Sequence, residues 1–391
     1  MTDQPEEYNF WLGLQALALA VGDRAVLLDE PVVKANLFVC LYGPSGIGKT
    51  KAVKTLTGLL REALPYNHTD PECAGAYVTP QPGSAEALVD LFAREIHDDP
   101  SDPKKVTGYG AVRGLVRFDE LATLMGKANR AGSVMKPTLI ELFDSYEPIE
   151  LKTRGSGLTR AERHFCCATT TTQPGAVREL LVQTDADSGF VNRWVFAVGP
   201  LKELVAYGAT PVDIGALVDP LRAVRAWASS GRDLRLVGDA LEVYRAFFKR
   251  DIAPLRMSDS ATLLARVDLI LKKLIVLFCA NEMITVPSKE LVERAISLFP
   301  YLCASYNLLV GQIGVGQFEL CRQRVQDIVS GFEAREGRPM PRREFNRALG
   351  KRFSKKLVLD VIRTMVALGE LDERPSTAAV GCPGVTYSYT G

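Results

Sequence analysis

Eight residues, Gly43-Pro-Ser-Gly-Ile-Gly-Lys-Thr50, constrain this chain more than any other stretch. They satisfy GxxxxGK[ST] in full. An apolar run, LFVCLY, precedes them and a helix-prone stretch, KTKAVKTLTGLLREAL, follows. Such a loop works only as a strand-to-helix turn. Its glycines let backbone N–H groups converge on an anion, and the helix N-terminus adds positive potential at the same point. The chain is therefore expected to contain a parallel α/β sheet, with Gly43, Pro44, Ser45, Gly46, Ile47, Gly48, Lys49 and Thr50 cradling nucleotide phosphates. Lys49 is expected to reach the β- and γ-phosphates and the Thr50 hydroxyl to sit on Mg²⁺, so ATP and Mg²⁺ are the expected cofactors.

The remaining pattern agrees with that frame. Short apolar runs at Leu37–Tyr42, Ala76–Thr79, Leu115–Phe118, Phe165–Ala168 and Trp194–Val198 alternate with helical stretches. Strands alternating with helices imply a parallel sheet covered on its faces. Residues 36–200 thus read as one α/β domain. Before it, residues 1–35 read as a helical lead-in that buries one side through Phe10, Leu12, Leu14, Ala16, Leu17 and Val21. After Pro200 the strand runs stop and 201–310 is helical. GQIGVG, at 311–316, is the expected linker to a small unit at 317–391. That unit reads as three helices (Arg322–Glu336, Arg342–Leu349, Ser354–Leu368) and a terminal hairpin. The stretch 96–105, IHDDPSDPKK, reads as a surface loop.

Composition narrows the function classes. The 391 residues carry 47 Lys+Arg against 46 Asp+Glu, so any nucleic-acid site must be a local patch. At about 150 residues per domain, two or three domains are expected. No apolar run reaches the ~18 residues of a membrane span. The best candidate, Leu269 to Phe278, is broken by Lys272 and Lys273. The acidic start, MTDQPEEYNF, does not resemble the basic opening of a signal peptide. The 8 cysteines form no CxxC pair, and His68, His97 and His164 are far apart. Reduced thiols, a cytoplasmic location and no structural metal are expected.

Four further constellations carry chemistry. Gly114-Leu-Val-Arg-Phe-Asp-Glu120 is a buried strand ending in two carboxylates. At the C-terminal sheet edge they would lie beside the phosphate loop, Asp119 holding Mg²⁺ through its water shell and Glu120 polarising the attacking water. A Glu at this place argues for hydrolysis rather than transfer to a small molecule. Phe165-Cys-Cys-Ala-Thr-Thr-Thr-Thr-Gln173-Pro ends a strand in a polar cluster that could orient the water. Four threonines leave its register open; Thr172 and Gln173 are the selected pair. In Gly189-Phe-Val-Asn-Arg-Trp, Arg193 directly precedes the fifth strand, where an arginine can extend into a neighbouring subunit's γ-phosphate site. Ile149–Arg160 reads as a hairpin around Gly-Ser-Gly that carries Lys152, Arg154 and Arg160.

The other nucleic-acid candidate is the small unit. Between Arg335 and Arg363, Arg335, Arg338, Arg342, Arg343, Arg347, Lys351, Arg352, Lys355, Lys356 and Arg363 face only Glu336, Glu344 and Asp360. Such a local excess on a neutral protein is an electrostatic footprint.

Phosphate loop on strand one, Asp-Glu on strand three, polar cluster on strand four and arginine before strand five resemble the AAA+ ATPase order. The chain resembles more closely the AAA+-like replicative helicase domains of phages and plasmids, often fused to primases and long catalogued as a domain of unknown function. LFVCLYGPSGIGKT, RFDELATLM, TTQPGAV and SGFVNRWVF carry the likeness, with ARVDLILKKLIVLF and ITVPSKELVERAISLFPYL resembling the family's helical lid. The resemblance covers roughly residues 10–310. It implies a five-stranded AAA+-like core, a helical lid, and ATP-driven rings, hexamers by expectation, that act on DNA with Arg193 in trans. It also implies that Arg266 contacts the γ-phosphate in cis from the lid, that the 149–160 hairpin is the pore loop, whose Lys152, Arg154 and Arg160 would touch the DNA backbone, and that a primase or other replication proteins are partners. The tail, LDERPSTAAVGCPGVTYSYTG, resembles the strands of a winged helix. A loader or regulator that remodels a partner protein on DNA without unwinding is the alternative.

Overall fold

The expected strand runs pair into one sheet. In the computed structural model, which describes residues 4–67, 75–96, 106–144, 147–153, 157–181, 183–200, 213–256, 264–310, 317–349, 353, 355–375 and 385–390, the chain forms two units, Met1–Gly311 and Gln312–Gly391. The 311–316 linker lies outside the described residues.

The first unit opens with helix α1 (Glu6–Val21), followed by strand β1 (Phe38–Tyr42) and helix α2 (Lys49–Ala63). Then come β2 (Tyr77–Val78), β3 (Ala111–Arg117), helix α3 (Met135–Asp144), β4 (Arg163–Thr172) and β5 (Trp194–Val198). The five strands are parallel, in the order β5-β1-β4-β3-β2. Phe38 is level with both Trp194 and Ala168, so every strand ends on the edge that carries the phosphate loop. β4 runs longer than its apolar core suggests. Its threonine run stays buried and paired with β1 throughout, Thr169 with β3 as well, and β-branched threonine suits that setting.

Two expectations about the flanking segments need correction. Helix α1 buries more than the one side expected: Trp11, Leu12 and every residue from Leu14 to Val21 are inside, whereas Phe10, expected inside, is 41% exposed in line with exposed Glu6 and Gly13. The Ala/Leu-rich second half of the helix has no polar face to leave in solvent. Its single buried amide, Gln15, donates to Leu37 O (3.1 Å) and Ala168 O (2.7 Å) and accepts from Thr169 Oγ1 (2.6 Å), which ties the helix to the sheet.

The helices between 215 and 310, expected as a lid, pack on α1 and around the sheet. Helix α4 (Val267–Glu282) contacts α1 and begins at the sheet's N-terminal edge. Its buried Lys273 donates to Lys34 O (3.0 Å) and Asn36 Oδ1 (2.5 Å), and Asn36 Nδ2 in turn donates to Phe143 O (2.8 Å) and Cys166 O (3.2 Å). Helix α5 (Phe299–Val310) lies along β5, where Tyr306 donates to Trp194 O (2.8 Å) and Tyr301 to Val198 O (3.0 Å). Residues Arg232–Leu234 even pair with Ala25–Leu27 of the lead-in, so segments 1–35 and 201–310 are knitted together rather than separate bodies. Among the described residues no helix is long and apolar enough to cross a membrane.

In the second unit, helices α6 (Gln317–Glu336), α7 (Arg342–Leu349) and α8 (Lys355–Ala367) pack on an antiparallel sheet of β6 (Met340–Pro341), β7 (Leu371–Pro375) and β8 (Val385–Tyr389), ordered β6-β8-β7. It has its own core, including Val325, Phe332, Phe345, Val361, Met365 and Tyr387. Arg322 pairs with Glu370 through two hydrogen bonds, at 2.9 and 2.6 Å.

Candidate functional site

The phosphate loop hangs between β1 and α2. Gly46 and Gly48 both hold φ +86°, a left-handed conformation that other residues adopt only under strain. Helix α1 braces it from behind: the Tyr8 hydroxyl donates to Tyr42 O (2.8 Å), and Gln4 packs directly against Gly48. Lys49 Nζ donates to the loop's own Gly43 O and Pro44 O, both at 2.6 Å. Burial pushes its ammonium below the usual lysine range, and the negative charge of Glu120 opposes that.

A cleft of about 520 Å³ opens in front of the loop. Ser45, Gly46, Gly48, Lys49 and Thr50 line one side, Asp119 and Glu120 another, and Thr171 and Gln173 the floor between them. The topology explains this convergence. β4 lies between β1 and β3, so the polar end of β4 sits between loop and carboxylates. Thr171 Oγ1 donates to Asp119 O (2.8 Å) and so fixes the backbone that carries both acids. A nucleotide with its magnesium ion fits this donor set. The loop glycines and the α2 N-terminus would face its phosphates, and the Thr50 hydroxyl and Asp119 carboxylate are hard oxygen donors of the kind Mg²⁺ takes.

The structure separates the two selected sensors. Gln173 lines the cleft; Thr172 does not, and its hydroxyl reaches only Gln173 O at 3.5 Å. Side chains alternate along a strand, so adjacent residues cannot share a side. Thr171, two before Gln173, shares its parity and was the residue to choose. Three further cations line the cleft, Arg117, Lys51 and Lys54, and none was singled out from sequence. Arg117 lies two residues before Asp119 on β3, and its Nε is buried without a hydrogen-bond partner; Lys54 lies one helical turn after Thr50. Periods of two and of 3.6 would have indicated both.

The two arginines expected at γ-phosphates lie elsewhere. Arg193 is buried at the sheet's N-terminal edge, where Nε and Nη2 donate to the Asp144 carboxylate (3.2 and 2.7 Å) and Nη1 to Gly189 O (2.7 Å). It is thus an internal fastener in this chain, not a projecting finger. Arg266 lies 3.9 Å from the same Asp144, at the edge opposite the phosphate loop. The cis contact assigned to it is therefore geometrically excluded here. The 215–310 helices contribute no described residue to the cleft.

No family model and no curated protein matches the chain.

The nucleic-acid candidates divide. Residues Ile149–Thr153 and Gly157–Ala161 do form an antiparallel hairpin. Lys152 on it is exposed, whereas Arg160 is taken up by Glu150 (2.6 Å), Glu162 (2.5 Å) and the ring of Tyr109. Arg154 lies outside the described residues, as do Lys351 and Arg352 of the second unit. There, Arg343 and Arg347 share one side of α7 with Arg335 of α6, while Arg342 faces another groove with Asn346 and Lys355. Lys356 is exposed on α8. The expected single patch is therefore two.

Proposed function

We propose that this chain is a Mg²⁺-dependent ATPase of the AAA+ type that works on DNA as an assembly of identical subunits, as a replicative helicase does. The observation that carries this reading is the convergence of Lys49, Thr50, Asp119, Glu120 and Gln173 on one cleft around a complete phosphate loop. In that reading Lys49 leaves its loop carbonyls for the phosphates and Asp119 and Thr50 hold the ion. Glu120, exposed at the cleft mouth, draws the proton of the attacking water, which Gln173 and Thr171 orient. When bound, Mg²⁺ would supply positive charge at the phosphates.

Two features support the DNA target. Lys152 stands exposed on a hairpin of the ATPase unit. The helix–strand–helix–helix–strand–strand order of the second unit, with its last strand in the middle of the sheet, suits a winged helix, and α7 and α8 carry its basic groups. One observation favours the loader reading. Helix α8 and the residue after it expose Leu359, Val366 and Leu368 (65% exposed), more apolar surface than backbone binding needs.

The test is ATP hydrolysis and strand displacement by the full chain. Glu120→Gln should bind ATP with parental affinity yet lose turnover by 10²-fold or more, about what removing a general base costs. Lys49→Ala should lose affinity instead. Turnover at the parental rate in Glu120→Gln would refute the site. ATPase activity without strand displacement, together with a DNA-dependent protein partner captured on α8, would favour the loader.

A further inference from the structure

We propose that the groove between α7, α8 and β8 of the second unit holds one unpaired nucleotide of a DNA strand. The inference rests on the DNA target proposed above.

Two helical stripes build the groove. Arg342, Asn346 and Leu349 stand at i, i+4 and i+7 on α7 and so share one face. Lys355, Val358, Leu359 and Ile362 do the same on α8, at i, i+3, i+4 and i+7. Each stripe begins at an exposed cation and ends on a buried apolar side chain, Leu349 on one helix and Ile362 on the other. Phe353 and Tyr387 complete the lining, Tyr387 packed on Phe345 with ring centroids 5.1 Å apart. The result is a concavity of about 440 Å³, charged at its rim and apolar inside, within the size range of small-ligand sites.

Three properties select the occupant. The first is charge. No acid lines this groove among the described residues, whereas the other arginine groove of α7 contains Glu336 and Glu344, and Arg338 pairs with Glu344. Arg342 and Lys355 have no ion-pair partner among the described residues, so their charge is left for an anion outside the protein. The second is the apolar interior, from which a phosphate alone would gain nothing. Leu359 is 41% exposed, and Val358 and Phe353 are half-buried. A base, with two flat faces, would cover them. The third is Asn346, which lies between the cation and the apolar end of the α7 stripe. Its amide both donates and accepts, as the edge of a base requires.

A peptide is the poorer occupant. β8 is the middle strand of its sheet, so the groove offers no strand edge for an extended chain to pair with. Helix α7 thus carries two kinds of contact: Arg343 and Arg347 for a strand backbone, Arg342 and Asn346 for an unpaired base and its phosphate. DNA with a single-stranded tail beside a duplex engages both.

The experiment measures, with the full chain at fixed salt, affinity for a blunt duplex and for the same duplex bearing a single-stranded tail. The parent should prefer the tailed DNA by about tenfold, the scale of one stacked base. Asn346→Ala and Leu359→Glu, both at exposed positions, should each abolish that preference and keep the parental melting temperature. Arg343→Ala should weaken binding of both DNAs and keep the preference. A tail carrying photoreactive iodouracil should cross-link to the groove in the parent and lose that cross-link in Leu359→Glu. Parental preference in either groove variant would overturn the proposal. So would cross-links confined to residues 1–311, or a parent that binds the two DNAs alike. Parental preference in Leu359→Glu together with loss of a bound protein would assign the groove to a peptide instead. If one variant melts early, the other and the cross-link decide. If the parent binds neither DNA, the DNA reading fails and this falls with it. If it binds duplex through Arg343 without regard to the tail, only the nucleotide assignment fails.

Discussion

Arg117 lines the cleft beside the phosphate loop. With Arg266 at the far edge of the sheet, Arg117, Lys51 and Lys54 are the cleft cations that remain beside Lys49, and the buried Arg117 Nε has no hydrogen-bond partner among the described residues. A charge-assisted hydrogen bond contributes about 1.5–3 kcal/mol. Arg117→Ala should therefore weaken ATP binding by roughly ten- to hundredfold, with little change in stability; calorimetric titration measures it, and parental affinity would place Arg117 outside the nucleotide's reach. The phosphate loop was legible because its residues are contiguous and their roles are local. Arg117 is less legible, because the two carboxylates that follow it dominate the same stretch. Arg193 and Arg266 were misplaced for a different reason. Their partner, Asp144, is far away in sequence, and no periodicity announces which carboxylate an arginine will find.

At the scale of elements, the five strands and the loop-bearing helix were readable from runs of buried residues. The packing of α1, α4 and α5 was not, because a helix that is apolar all round shows that it is buried without showing against what. Strand β4 illustrates both sides. Its parity selects Thr171 over Thr172, and its first turn into the sheet carries a histidine with a measurable signature. Burial, aided by the positive charge of Lys34, pulls the His164 imidazole down to about 4. The unfolded chain keeps an ordinary value near 6.5, so it binds more protons than the folded chain between those limits. Stability is therefore fully present above pH 6.5 and is lost as the pH falls toward 4. The expected loss from this residue is about 2 kcal/mol between pH 7 and pH 5. His164→Asn should remove that component from urea-unfolding curves, and an unchanged pH dependence would mean that the imidazole titrates normally in the fold.

The whole molecule divides where the glycine-rich 311–316 segment suggested, and the second unit carries its own hydrophobic core. Removing 312–391 should leave ATP binding intact while weakening duplex binding and flattening its dependence on salt. Each lost phosphate contact should reduce the log–log slope by about 0.9. Filter binding across a salt series would measure this, and an unchanged slope would make the second unit a protein-docking module. The other expected boundaries, at 36 and 200, have no such independence. Helix α1 fills the space behind the phosphate loop, Ala25–Leu27 pairs with Arg232–Leu234, and Tyr306 closes on Trp194. During synthesis, then, residues 6–27 emerge well before the segments that complete their packing. Chain-closing contacts across more than 200 residues (Ala25 with Arg232) slow folding and leave apolar helix exposed meanwhile. A nascent chain halted at residue 200 should accordingly be held by chaperones and cleaved readily by protease, and one released after residue 311 should become resistant.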